Sequence, residues 1–363
     1  MKQFNLKKFE KYLSSLYGGK VKILSFEGLS KKVKRKKQLK EFGYGKPYFL
    51  TFTTKGRKYF TVFQTMKPDS FGHENVWDRA QNIIFAYLTY NKLPKHAKSL
   101  DAGIITKDGN FRSLSNLQEF FILVERVKGR EYFHDLEEIV KKGSLEELDL
   151  ERCKALSHYL AKIHSRRKNA PSLYVRRIRE LIGHGECIMG LLDNYPEKLD
   201  FTSWDELLKI EKLCVDWRWK IKRKTYRLCQ VHGDFHPWNI LFQEGVKFRV
   251  LDRSRGEWGE AADDLSSLTI NYLFFPLQAF GKVNEPFKTL FRIFIEEYLR
   301  KTGDEEVLKV IQPFYAWRGL VLANPIWYPT LTFEVRRKIL NFILNVLSSD
   351  EFDFKNVESY FTS

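Results

Sequence analysis

The chain has little of what marks a zinc finger, a secreted scaffold or a membrane protein. Of its 363 residues only four are cysteine: Cys153, Cys187, Cys214 and Cys229. No two of them form a C-x-x-C pair, so neither a zinc site nor a dithiol redox motif is indicated. Free thiols in a reducing compartment are expected. No apolar run reaches the length that spans a bilayer. The start, Met1-Lys2-Gln3-Phe4-Asn5-Leu6, lacks the apolar core and small-residue cleavage site of a secretory signal, so a cytoplasmic protein is expected. No repeat of roughly 20 to 50 residues and no low-complexity block is present, which excludes solenoids and arrays. Acidic residues are also in deficit. Asp and Glu number 45 against 62 Lys and Arg, a formal net charge of +17. That excess attracts nucleic acid, anionic membranes and polyphosphates alike. Lys together with Glu is abundant in thermophile proteins too, so charge alone selects no partner.

What is present is core material. Hydrophobic residues make up 43% of the chain and 30 residues are phenylalanine, which excludes a disordered chain. The first 20 residues carry Phe9, Tyr12, Leu13 and Leu16 at helical spacing. Residues 21–26 alternate as a half-buried strand does. A basic run follows, Lys31-Lys32-Val33-Lys34-Arg35-Lys36-Lys37, read as a solvated loop with weak contact to an anionic surface as the functional alternative. Residues 48–53 and 58–64, joined by Thr54-Lys55-Gly56-Arg57, read as a hairpin entered through Phe42-Gly43-Tyr44-Gly45. One good helix is expected over 75–91, with strands near 100–105 and 120–127. From Leu136 onward helical periodicity dominates, with helices expected over 146–165, 172–193, 204–222, 285–302, 304–320 and 333–348. A small strand-rich part, residues 1–123, would therefore pass through a hinge at 124–129 into a mostly helical part, 130–363.

One stretch carries chemistry: Val231-His232-Gly233-Asp234-Phe235-His236-Pro237-Trp238-Asn239-Ile240-Leu241-Phe242, then Phe248-Arg249-Val250-Leu251-Asp252. The order is His-x-Asp, Asn, short strand, Asp. Phosphoryl transfer needs one carboxylate to orient a hydroxyl, and an amide and a second carboxylate to hold Mg²⁺. Asp234 is the candidate catalytic residue; Asn239 and Asp252 are the candidate metal ligands, hard oxygens of the kind Mg²⁺ selects. The protein-kinase signature has the same order.

With these elements in sequence, the chain resembles the aminoglycoside phosphotransferase and choline kinase family, small-molecule relatives of the protein kinases. Leu123–Gly129 resembles the family's interlobe hinge, Leu160-Ala161-Lys162-Ile163-His164 its helix ending in a leucine-histidine type pair, and Gly259–Leu265 its Gly-Asp-Pro-x-x-Asp-Leu segment. The resemblance spans roughly residues 20 to 270. It implies an α+β, kinase-like, two-lobed fold. It also implies ATP or GTP as donor, with Gly43, Gly45, Gln64, Glu125 and Val127 at the nucleotide. His232 and Asp264 would support the loop, and His236, Glu257, Trp258, Trp317 and Trp327 are candidates for acceptor contacts, with Arg253, Arg255 and Glu260 nearby.

One departure concerns the lysine–glutamate pair of kinase-like lobes. The alignment puts Gln64 at the lysine and Gln81 at the glutamate. A hydrogen bond between the two amides would replace the ion pair, with phosphate charge met by Lys46, Lys58 or Lys67. A shift of one or two residues would instead bring in Lys58, Lys67, Glu74 and Asp78. The favoured activity is transfer of a γ-phosphate to the hydroxyl of a sugar, amino sugar or amino alcohol. The alternatives are a nucleotide-binding regulator with little catalysis and a kinase for a lipid-linked substrate at an anionic surface.

Overall fold

The computed structural model describes residues 4–28, 45–253 and 255–362. Gly43 and the basic run Lys31–Lys37 lie outside the described residues. The chain divides into two compact units, Met1–Val124 and Glu125–Ser363.

The first unit begins with α1 (Leu6–Tyr17). Asn5 caps it, its side chain accepting the Lys8 N–H, and Gly18 ends it in the left-handed conformation. Strands β1 (Lys22–Gly28), β2 (Gly45–Thr54) and β3 (Arg57–Met66) form one antiparallel sheet in that order. The β2–β3 turn places Lys55 and Gly56 both at positive φ, the backbone that two-residue hairpin loops favour. Phe9, Leu13, Val21, Leu50 and Phe52 form the core, and Phe9 stacks on Phe111 with ring centroids 4.6 Å apart. Helix α2 (Val76–Tyr90) and the hairpin β4 (Gly103–Ile105) and β5 (Phe111–Ser113) complete the unit. The strand expected over 120–127 does not form. An apolar run becomes a strand only with a ladder beside it, and Phe121, Ile122 and Leu123 are almost wholly exposed.

The second unit is mostly helical. Its elements are β6 (Arg130–Glu131), α3 (Phe133–Lys142), α4 (Glu147–His164), α5 (Pro171–Gly183), α6 (Ile188–Asp193), α7 (Trp204–Ile221), β7 (Cys229–Gln230), β8 (Ile240–Phe242), β9 (Phe248–Val250), β10 (Trp258–Gly259), α8 (Ala261–Phe280), α9 (Glu285–Thr302), α10 (Gln312–Ala323) and α11 (Phe333–Leu347). The helix expected over 172–193 breaks at Gly183-His184-Gly185, where the close-packed Gly190 returns against the break. The helix expected over 304–320 becomes a short 3-10 turn, Glu305–Lys309, and then α10. Pro313 sits in the first turn of α10, where its missing N–H costs nothing.

Helix α8 runs through the centre of the core, with Leu265, Leu268, Tyr272, Leu273 and Leu277 buried. Its N-terminus is fixed by a buried ion network. Arg227 Nη2 donates to Glu260 Oε1 at 2.7 Å and Arg227 Nη1 to Asp304 Oδ1 at 2.7 Å, while the Tyr174 hydroxyl donates to Glu260 Oε2 at 2.7 Å. No helix among the described residues is long and apolar enough to cross a membrane.

A β carbon built on Gly190 would lie 2.0 Å from the Gly185 carbonyl oxygen, a backbone atom that cannot swing away. Gly190→Ala is expected to cost about 1–3 kcal/mol, the range for overpacking a filled core. A lowered urea midpoint with an unchanged slope checks this.

Candidate active site

Four short strands and one helix position the 231–252 segment. β7 pairs with β10 in antiparallel register, Gln230 opposite Trp258, and the Val231 N–H donates to the Glu257 carbonyl at 3.1 Å. Arg253 secures the same junction, Nη2 donating to the Val231 carbonyl at 2.7 Å. The chain then turns through Gly233, whose φ of +89° strains any residue with a side chain; a β carbon there would lie 3.2 Å from Arg255 Cβ. Beyond the turn, Pro237–Asn239 makes a single 3-10 turn that feeds β8.

The loop backbone is held by Asp264, fully buried near the start of α8. Its two oxygens accept the N–H groups of His232 and Gly233, each at 2.7 Å, and His164 Nε2 lies 3.1 Å from Oδ2. The other nitrogen of His164 lies 2.9 Å from the Tyr298 hydroxyl. Burial alone would raise the Asp264 carboxyl; the His164 contact and the loop amides hold it below its ordinary range. His232 is buried too, and burial lowers its ring pKa, so it stays neutral as a packing group beneath the loop.

Asp234 is half-buried. Arg318, from α10, donates Nη1 to Asp234 Oδ1 at 2.7 Å, Nη2 to Asp263 Oδ1 at 2.7 Å, and Nη2 also to the Gly233 carbonyl at 3.3 Å. His236 Nε2 lies 3.5 Å from Asp234 Oδ2. Burial opposes the charge on both carboxylates, with unequal results. His236 and Arg318 together hold Asp234 well below the usual carboxylate range. Burial pushes Asp263 up to about 6 in spite of Arg318. Of the two carboxylates on Arg318, Asp234 therefore gives up its proton at lower pH than Asp263 does.

Asn239 and Asp252 flank the same end of the β8–β9 pair. Ile240 lies opposite Val250, and the Leu251 N–H donates to the Asn239 carbonyl at 2.9 Å. The Asn239 amide nitrogen donates to the Asp234 backbone carbonyl at 3.1 Å and lies 3.1 Å from His236 Nε2, which ties it to the loop; its side-chain oxygen has no hydrogen-bond partner among the described residues. Asp252 adopts φ +49°, unusual for a residue with a side chain, and its carboxylate makes no hydrogen bond or ion pair among the described residues. Two unpartnered oxygen donors fit a magnesium ion, which takes one or two protein ligands and fills its shell with water and phosphate. Among the described residues no group of three or more His, Cys, Asp or Glu side chains is gathered as a metal cage.

Several sequence-derived candidates sit elsewhere or are otherwise occupied. Glu260 is buried in the Arg227 network and does not face an acceptor. Trp317 is also buried; its indole N–H donates to the Glu186 carbonyl at 3.0 Å, and the guanidinium groups of Arg255 and Arg318 lie 4.4 Å and 3.9 Å from its ring centre. Trp258 carries Lys168 Nζ 4.9 Å from its ring centre, Glu257 is exposed, and Trp327 is exposed in the turn after α10. Glu125 is exposed, 3.8 Å from Arg249, and Val127 is half-buried. In the first unit, the expected Gln64–Gln81 hydrogen bond does not form. Gln64 is exposed on β3 and folds over Gly45, where a β carbon would lie 2.6 Å from its Nε2; Gln81 is exposed on α2. Both amides stand in water, so neither needs the other. Arg318, 84 residues after Asp234, is a neighbour of the candidate site that the sequence did not point to.

Residues 105–300 match the model of the phosphotransferase enzyme family. Among solved structures the chain is similar to an ethanolamine kinase of Plasmodium vivax, with 16% identity and a TM-score of 0.36 over 93% of this chain and 80% of that one. It is similar to an amicoumacin kinase solved with AMP-PNP and Ca²⁺, with 14% identity and a TM-score of 0.41 over 91% and 93% of the two chains. A choline kinase of Cryptosporidium parvum Iowa II gives 13% identity and a TM-score of 0.33 over 93% and 87%. At these values the neighbours' substrates do not carry over. No curated protein sequence matches the chain.

Proposed function

The chain belongs to the phosphotransferase enzyme family, and from that premise we propose that it moves the γ-phosphoryl group of ATP or GTP, with Mg²⁺, onto a hydroxyl of a small molecule. The observation that carries this reading is the convergence of Asp234, Asn239 and Asp252. An ionised carboxylate belongs to the same loop and strand end as two oxygen donors that have no partner among the described residues. In this reading the acceptor hydroxyl donates to Asp234 Oδ2 as its oxygen attacks the γ-phosphorus. The bond to the β-phosphate oxygen breaks, a nucleoside diphosphate leaves, and the hydroxyl proton passes to Asp234. A base held so acidic is suited to orienting the hydroxyl rather than removing its proton beforehand, which agrees with a loose transition state in which positioning carries most of the catalysis. Asn239 and Asp252 would hold the metal, which supplies charge neutralisation at the phosphates.

Incubation with Mg-ATP or Mg-GTP and a panel of sugars, amino sugars and amino alcohols, followed by ³¹P NMR, tests the reading. A phosphomonoester is expected, its formation abolished by EDTA and restored by Mg²⁺. Formation undiminished by EDTA removes the metal role of Asn239 and Asp252. Nucleotide binding without any phosphorylated product would favour the second reading, a nucleotide-binding regulator. The neutral Gln64 and Gln81 are what supports that second reading.

A further inference from the structure

The loop before Asp234 is gripped from two sides. Asp264 takes its N–H groups, at His232 and Gly233. Arg318 takes what remains: the Gly233 carbonyl and one oxygen of Asp234. A buried arginine that served only to pair with Asp263 would not need to reach the loop. Here one guanidinium spans both carboxylates, and its own orientation is fixed. Its plane lies against Trp317, whose indole is anchored to the Glu186 carbonyl, and Asp263 belongs to the same helix turn as Asp264. The two clamps therefore share a base. A fork of fixed geometry of this kind is particular to arginine; lysine offers one ammonium in its place.

We propose that Arg318 is a positioning residue for phosphoryl transfer: it fixes Asp234 through Oδ1, so that Oδ2, with His236 Nε2 3.5 Å to one side of it, is the oxygen presented to the acceptor hydroxyl. The assignment rests on the phosphotransferase reading above. It adds a participant from residue 318, beyond the 105–300 segment that the family model matches. Asp263 acts behind it, holding the second arm of the fork. A carboxylate free to rotate about its own Cβ–Cγ bond would spread the hydroxyl over several poses. Misplacement on the scale of an ångström costs about 100-fold in rate.

The test compares Arg318→Met, Arg318→Lys and Arg318→Ala with the wild-type chain. For Arg318→Met, kcat with Mg-nucleotide is expected to fall about 100-fold, with KM for the nucleotide nearly unchanged. Arg318→Lys restores part of the rate, because an ammonium meets one carboxylate but not both. Guanidinium ion added to Arg318→Ala raises its rate, whereas urea, its neutral analogue, does not. Rates within a few-fold of wild type in Arg318→Met, or equal rescue by urea, overturn the proposal. A measurement that needs no turnover runs beside these. Amide hydrogen exchange at residues 233–235 is expected to quicken in Arg318→Met while exchange within α10 stays as in the wild type. Unchanged exchange at 233–235, or faster exchange throughout α10, overturns it as well. A wild-type chain that turns over no nucleotide under any condition counts against the phosphotransferase reading, and the exchange result then decides the positioning claim alone.

Discussion

Asp234→Asn abolishes most turnover, by about 10²- to 10⁴-fold, the usual contribution of a positioned acid–base group, while Mg-nucleotide still binds. The substitution keeps shape and inverts polarity where it matters. Arg318 supplies donors, so the carbonyl oxygen of the new amide will turn toward it and take the place of Oδ1. That leaves an NH₂ group in the position of Oδ2, where the acceptor hydroxyl needs an acceptor of its own proton. The incoming hydroxyl then meets a donor instead of a carboxylate. Asn239 keeps its hold on the loop, because its bond goes to the backbone carbonyl of residue 234 and not to the side chain. Nucleotide affinity, followed by titration calorimetry, is thus expected within a few-fold of wild type. Turnover within tenfold of wild type would falsify the catalytic assignment of Asp234.

The largest expected effect on stability is at Arg227. Its guanidinium is almost wholly buried and meets Glu260, which is equally buried, and Asp304. Removing one partner of such a network leaves an unneutralised charge in the core, at a cost of about 3–5 kcal/mol. Arg227→Met is expected to lower unfolding free energy by that amount in urea denaturation. Glu260→Met in the same background removes the stranded carboxylate and is expected to recover part of the loss. The two sites touch, so their effects should be far from additive. Additive losses would mean that the ion pair carries no coupling and that Arg227 acts by packing alone.

The candidate site was legible where its residues are local in sequence. Asp234, Asn239 and Asp252 lie within 20 residues, and short strands of apolar residues between them force the loop and the strand end together. Helix α8 was not legible as a helix, for a physical reason. Helical periodicity shows when one face is wet, and α8 is buried on nearly every face from Ala261 to Leu277. The run 120–127 misled in the opposite sense, since a short continuous apolar run states a readiness to pair without naming a partner. Arg318 left no local trace at all. Its meaning depends on α10 packing beside α8, and nothing in Ala316-Trp317-Arg318 says which carboxylates will stand opposite.

Helix α8 joins matters that many enzymes keep apart. Glu260, Asp263 and Asp264 lie together at its start, the first tied to the core network, the second to Arg318 and the third to the loop. The segment that leads into the hydrophobic interior would, in the proposed reaction, also set how Asp234 meets the acceptor hydroxyl. For selection acting on this chain, robustness and chemistry are then not separate traits. A change that loosens the start of α8 is penalised twice, and one that strengthens it leaves the loop little room to explore a new acceptor. Drift toward other substrates would have to begin at positions that touch neither clamp, such as the exposed turn around Trp327.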